Sequence, residues 1–280
     1  MFNRRISQIV SLVLLHSSWG PEAKWLCNPV LSCHSCALAW FACPVGVYVH
    51  YSGYHLFPFL AVGTVLLVGV LVGRLLCGWV CPFGFLLDML YKVPSPKFDL
   101  PRWTSYLKYI VLALAVVLLP FIFGEATIYS FCRICPASAL QVTLPNIILQ
   151  GFSGTTLATA VKLGFLVLML VLAVFSSRSF CKALCPIGAL LAPLNYISFW
   201  AIHMPATRQG RYTIAPPPCT GCKRCDQICP SDGQPFSRIS RGIPPNRTAD
   251  CVVCHDCQHA CPSQNDAVAG AKGPGICLQK

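Results

Sequence analysis

Nineteen cysteines stand in this 280-residue chain, and most fall at spacings that let several thiolates reach one inorganic centre. The run Cys219-x2-Cys222-x2-Cys225-x3-Cys229-Pro230 recurs as Cys251-x2-Cys254-x2-Cys257-x3-Cys261-Pro262. This is the bacterial ferredoxin spacing, in which the fourth cysteine of each run ligates the other cluster. Cys219, Cys222, Cys225 and Cys261 are therefore assigned to one [4Fe–4S] cluster, and Cys251, Cys254, Cys257 and Cys229 to a second. Two structural zinc sites are the alternative, but zinc needs neither a third cysteine two residues on nor a fourth before proline. His255 and His259 read as surface residues. Cys277 has no partner motif.

Upstream, the chemistry is written twice. Arg74-Leu-Leu-Cys-Gly-Trp-Val-Cys-Pro-Phe-Gly-Phe-Leu-Leu-Asp-Met-Leu90 aligns with Arg178-Ser-Phe-Cys-Lys-Ala-Leu-Cys-Pro-Ile-Gly-Ala-Leu-Leu-Ala-Pro-Leu194, with eight of seventeen positions identical. Cys33-His-Ser-Cys36 and Cys132-Arg-Ile-Cys135 form a second pair at nearly the same offset. Both halves carry the same order of motifs, so the repeat is parallel, and a pseudo-twofold axis brings equivalent ligands together. Cys77, Cys81, Cys181 and Cys185 then form an inner four-thiolate site, and Cys33, Cys36, Cys132 and Cys135 an outer one. Cys43 sits in Cys-Pro-Val-Gly, which echoes the C-P-x-G motifs, so Cys43 and Cys27 compete as outer ligands. A Cys27–Cys43 disulfide is the other option in an oxidising compartment. Free or disulfide-bonded cysteines without metal are the plain alternative for both sets. Proline after each ligating cysteine is read as a helix stop.

The elements that must position these residues are apolar. The AVILMFWYC set makes up 55% of the chain and charged residues 11%, against about 25% charged in an ordinary soluble domain. That excludes a disordered chain and argues against a water-soluble globule. Spans of about 20 residues are needed to cross a bilayer. Candidates are Ile6 to Trp19, Tyr54 to Leu76, Trp103 to Phe123 and Leu157 to Ser177; the first also has the basic start and short apolar run of a signal peptide. Lysine and arginine flank the inner ends, which places the N-terminus, the 77–102 loop and everything after 177 in the cytoplasm. Lys162, inside the last span, reads as a snorkelling side chain or as an intramembrane functional charge. The segment Gly188 to Trp200 reads as an interfacial helix that seats the tail, and Gly69-Val-Leu-Val-Gly73 as a close-packing motif.

The fold class expected is an all-α membrane bundle over 1–200, with four transmembrane helices, followed by a small α+β ferredoxin-like domain with two clusters over 201–280. The formal charge of +12 does not point to nucleic acid, because a four-thiolate cluster carries roughly −2. No Walker loop, dinucleotide fingerprint or nucleophile elbow occurs.

With these residues assembled, the chain resembles the NapH-type membrane quinol dehydrogenase components of periplasmic nitrate reductases. The resemblance rests on four spans, on the paired C-x3-C-P motifs Cys77/Cys81 and Cys181/Cys185, on Cys77-Gly-Trp-Val-Cys-Pro, and on the double ferredoxin tail. The accessory protein NosR and the assembly protein CcoG share the same core. The outer cysteines depart from the nitrate-reductase pattern. The resemblance implies [4Fe–4S] electron transfer at the inner membrane, with the menaquinol or ubiquinol pool and other redox subunits as partners. It also implies an alternative, a redox accessory protein that reduces a metal centre or maturation partner. His50, Tyr51 and His55 are conceivable proton acceptors for quinol, or interfacial anchors.

Overall fold

The computed structural model describes residues 4–17, 23–124, 127, 129–151, 156–202 and 221–261. In chain order come α1 (Arg4–Leu15), strands β1 (Ala23–Cys27) and β2 (Phe41–Ala42), α2 (Pro44–Gly53), α3 (Phe59–Val72), α4 (Leu75–Trp79) and α5 (Pro82–Leu90). A long helix over Trp103–Phe123 follows, in which α6 (Leu107–Val111) and α7 (Leu119–Phe123) flank a π-helical segment. The second half has α8 (Phe131–Ile134), then α9 (Pro136–Ser138) running through a second π-helical segment into α10 (Leu144–Gln150), then α11 (Leu157–Phe175), α12 (Ser179–Ala183) and α13 (Pro186–Ile197). The tail adds α14 (Arg224–Gln227), α15 (Phe236–Ile239) and α16 (Asp256–His259).

The duplication is visible in this order. Each half has a helix begun by Cys-Pro, a long apolar helix, a five-residue helix and another helix begun by Cys-Pro. The prolines start helices here and do not simply stop them. Cys43, Cys81, Cys135 and Cys185 are all N-cap residues with extended or near-extended backbone, and the proline that follows stands at the first helical position. Proline is at home there, since its fixed φ suits the helix and its missing N–H has no intrahelical partner to lose.

Two helices, Trp103–Phe123 and Leu157–Phe175, are long and apolar enough to cross a membrane. The other two expected spans are shorter. α1 covers 12 residues and α3 covers 14, or about 18 and 21 Å at 1.5 Å per residue. α3 is bounded by Pro58 and by Gly73, whose φ of 60° reverses the chain and turns Arg74 inward. α3 buries small residues and exposes large ones. Ala61, Val65 and Gly69 face the core while Leu66, Leu67 and Leu71 are exposed.

Gly69 packs α3 against α13, since a Cβ there would lie 2.2 Å from Leu194 Cδ1. α13 therefore sits inside the bundle, with eight buried residues, and not at an interface as expected for Gly188 to Trp200. Its last turn still seats the tail. Asn195 Nδ2 donates to the carbonyls of Asn246 (2.8 Å), Thr248 (2.7 Å) and Cys251 (3.1 Å). The described part of the tail contains no strand, so the α+β character expected of it is not found within 221–261. Its backbone is spent on the cysteine runs, whose tight wraps put Lys223, Val253 and His255 at positive φ. The one sheet among the described residues is the parallel pair β1–β2.

Candidate metal centres

The Cys-Pro motifs at Cys43, Cys81, Cys135 and Cys185 turn the start of a helix toward their own sulfurs. Gly188 N–H points at Cys185 Sγ at 3.4 Å. The amides three residues after Cys43, Cys81 and Cys135 bond their sulfurs in the same way. N-terminal amides and the helix dipole both favour a thiolate at this position. The prolines after Cys43, Cys81, Cys135 and Cys185 thus mark four sulfurs that each accept a helix amide.

The inner set comes together. Cys185 lies within electrostatic reach of Cys181, Cys77 and Cys81, and Cys181 within reach of Cys81 and Cys77. Cys81, Cys181 and Cys185 are buried and Cys77 half-buried. The two halves contribute equally, as a pseudo-twofold axis requires.

The outer set is Cys33, Cys43, Cys132 and Cys135, which line one cavity of about 260 Å3 together with His34 and Lys162. Cys132 lies within reach of Cys43, Cys135 and Cys33. Cys36 is buried but does not line this cavity. Cys43, which caps a helix as Cys135 does across the axis, stands on the cavity wall where the spacing had put Cys36. Cys27 ends β1 beside Thr64 and Tyr48, away from the cavity, and is not bonded to Cys43. Lys162 neither snorkels outward nor stands idle: its Nζ donates to Ser138 Oγ at 2.8 Å on the cavity wall. An intramembrane charge facing inward was one of the two readings of this position. Cys43→Ser is expected to remove the iron held in this cavity while Cys36→Ser leaves it in place, as read by iron content and EPR of the reduced protein.

In the tail, Cys229, Cys251, Cys254 and Cys257, the four residues that the ferredoxin spacing assigns to the second cluster, line one small cavity of about 20 Å3. Burial, reinforced by the Cys229 charge, pushes the Cys251 thiol up to about 12. Metal binding here must therefore displace protons. Cys225 and Cys261 pack on the same small core, around Ile202, Ile239 and Val253. Cys222 is half-buried, while Cys219 and Cys277 lie outside the described residues. His259 is exposed. His255 is not a free surface residue: its ring stands edge-on to Trp79 and Trp200, Nε2 accepts from Trp200 Nε1 at 3.2 Å, and Nδ1 meets Gln258 Oε1 at 2.8 Å.

The sites are neighbours. A Cβ on Gly78, between Cys77 and Cys81, would lie 2.4 Å from Val252 O and 3.4 Å from Cys254 Cα. Trp79 Nε1 donates to Val253 O at 3.0 Å, so the second tail set abuts the inner set. On the other side the Leu31 amide bonds the Cys81 sulfur, and Leu31 also lines the outer cavity. Leu31 and Cys33 are two residues apart, at most about 7 Å. The inner and outer sites are thus adjacent inside the bundle and not at opposite faces, because the loop before α2 folds in against Cys81.

Salt bridges hold the tail on the bundle. Arg4 pairs with Asp256 (3.3 Å), Lys108 with Asp250 (2.9 Å), and Lys182 with Asp232. Part of the positive charge that set the expected topology is a docking face for the tail. Among the described residues no three His, Cys, Asp or Glu side chains converge on a point as a single ion demands. The outer cysteines instead line a cavity of about 260 Å3, and a polynuclear cluster takes one thiolate per corner.

Comparison with known proteins points the same way. Residues 54–101 and 157–205, one stretch from each half, match a family described as a 4Fe-4S binding domain. They contain Cys77 and Cys81, and Cys181 and Cys185. An uncharacterized protein of Methanocaldococcus jannaschii is 26% identical over 71% of this chain and 73% of its own length. The putative electron transport protein YccM of Escherichia coli is 24% identical over 74% of this chain and 54% of its own. The methylamine utilization ferredoxin-type protein MauN of Methylorubrum extorquens is 30% identical over 57% of this chain and 48% of its own. The chain thus spans about half the length of the last two. No solved structure matches. In both of its halves, then, the chain is similar to a 4Fe-4S binding domain.

Proposed function

We propose that the chain is an integral-membrane, NapH-like electron-transfer protein that passes electrons between the quinol pool and redox partners through four [4Fe–4S] sites. Residues 1–200 form the membrane domain and 201–280 a cytoplasmic ferredoxin-like domain. The observation that carries this reading is the contact series just described. The second tail set touches the inner set through Gly78 and Trp79, and the inner set touches the outer through Leu31. When bound, [4Fe–4S] clusters supply one-electron chemistry. The chain's own residues hold them by thiolates, direct helix amides at the sulfurs, and keep water from the inner site by burial.

The membrane reading is supported by what the bundle exposes. Leu157 is 82% exposed, Phe59 78% and Leu67 63%. A continuous belt of such residues is untenable in water and natural against lipid. The four-span topology with both termini of 1–200 inside belongs to the same proposal.

A cavity of about 570 Å3 between α2, α3, α7 and α13 supports the quinol role, within the usual size range of small-molecule sites. Tyr48, Ser52 and His55 provide its polar groups, and Leu56 and Phe57 stand at its exposed edge. Tyr48 and Ser52 lie on the helix that Cys43 caps, about 7 and 14 Å along it. His55, edge-on to Phe121, is placed to accept a proton.

In proteoliposomes, anaerobically loaded protein is expected to lose its iron–sulfur visible absorbance on addition of menaquinol. Fully loaded protein that dithionite reduces but no quinol does would favour the accessory reading, in which a protein partner is the electron donor.

A further inference from the structure

Arg74 and Arg178 occupy equivalent positions in the two repeats and are 1% and 0% exposed. Each reaches across the axis to the other half. Arg178 Nη1 donates to Cys77 O at 3.0 Å. Arg74 Nη2 stands 2.9 Å from where a Cβ on Gly188 would be.

Their charges are balanced differently. Arg178 is neutralised by Asp88, with two bonds of 2.7 Å. Among the described residues Arg74 has no carboxylate partner. It donates to Ala249 O, and its Nε is buried without a hydrogen-bond partner. The cation beside it, Lys108, is fully buried and takes the one nearby carboxylate, Asp250. Among the described residues two buried cations therefore face one carboxylate, a strongly unfavourable arrangement unless another anion is present. The other groups that feel Arg74 are Cys181 of the inner set, Cys251 of the tail set, and Tyr109.

We infer that Arg74 is the counter-cation shared by the inner and second tail iron–sulfur centres, and that it sets the potential at which an electron passes between them. This rests on the proposed function above. Arg178 reaches the same two sets, at Cys181 and Cys254, but its charge is offset by Asp88. A fixed positive charge stabilises the more negative, reduced state of a nearby cluster and so raises its potential. The transfer moves one electron, oxidising one centre and reducing the other, with no bond broken.

The test is an EPR-monitored redox titration of the full-length, anaerobically purified protein. The inner centre is identified as the signal missing from Cys185→Ala. In Arg74→Gln, the reduced-to-oxidised ratio of that centre at a fixed ambient potential is expected to fall about tenfold, a shift of about 59 mV for one electron. Arg74→Lys should restore the wild-type ratio, and Arg178→Lys should leave it unchanged. An unchanged midpoint in Arg74→Gln with full iron content overturns the inference. Asp250→Asn supplies a second arm, because Asp250 is 35% exposed and its loss leaves Lys108 unbalanced in the same pocket. The midpoint should rise there, and if Arg74→Gln does not load iron, an unchanged midpoint in Asp250→Asn overturns the inference alone. Absence of the inner signal from wild-type protein would instead sink the proposed function.

Discussion

Cys81→Ala and Cys185→Ala, 104 positions apart, are each expected to abolish the same iron–sulfur centre. Wild-type protein should carry about sixteen irons, in four clusters of four, and each variant about twelve. The two sulfurs cap equivalent helices from opposite halves and lie within reach of the same two neighbours, Cys77 and Cys181. Removing either leaves a three-cysteine site in a buried space with Arg74 alongside, so partial occupancy is disfavoured. Iron and sulfide analysis with EPR of the dithionite-reduced protein checks this. Loss of different signals from the two variants would refute the shared site.

Gly78→Val is expected to separate the tail electronically from the bundle without emptying either. A side chain at Gly78 meets a backbone carbonyl, Val252 O, at 2.4 Å, and backbone cannot swing aside as a side-chain tip can. The variant must push the Cys251–Cys254 loop away and strain the Trp79–Val253 hydrogen bond. Overpacking of this kind costs about 1–3 kcal/mol, here drawn from docking. Iron content should stay near sixteen while the spin–spin interaction between the inner and tail centres weakens and electron passage slows. The salt bridges of Arg4, Lys108 and Lys182 to the tail would keep it attached. Unaltered coupling in Gly78→Val would show that the tail meets the bundle elsewhere.

Membrane depth was the hardest quantity to read from the chain. The long apolar runs at 103–123 and 157–175 are helices of full length, but the runs at 6–19 and 54–76 yield shorter ones. Hydropathy counts apolar residues and does not see that Pro58 and Gly73 bound α3. It also does not see that α1 buries Gln8, whose Nε2 donates to Gly78 O at 2.9 Å, on the bundle side. Charge suffered a similar ambiguity. Lysines and arginines that read as topology signals are also the partners of Asp232, Asp250 and Asp256, and sequence separation hides those pairs.

What the amino-acid sequence determined by itself is the inventory of sulfurs and their symmetry. Ligand spacing is a local property, and a duplicated motif must fold twice in the same way, so the ferredoxin runs and the two C-x3-C-P motifs were legible without coordinates. The echo of Cys43-Pro-Val-Gly in the other C-P-x-G motifs held the signal that Cys43 caps a helix, yet the short Cys33–Cys36 spacing competed with it. Only the tertiary structure put Cys43, and not Cys36, on the wall of the outer cavity, drew Lys162 onto it and set Arg74 between two cysteine sets. It also laid Leu31 between the inner and outer sites. Each of these is a contact between segments distant in the chain, settled by which helix starts are buried together, and no local pattern of residues encodes that.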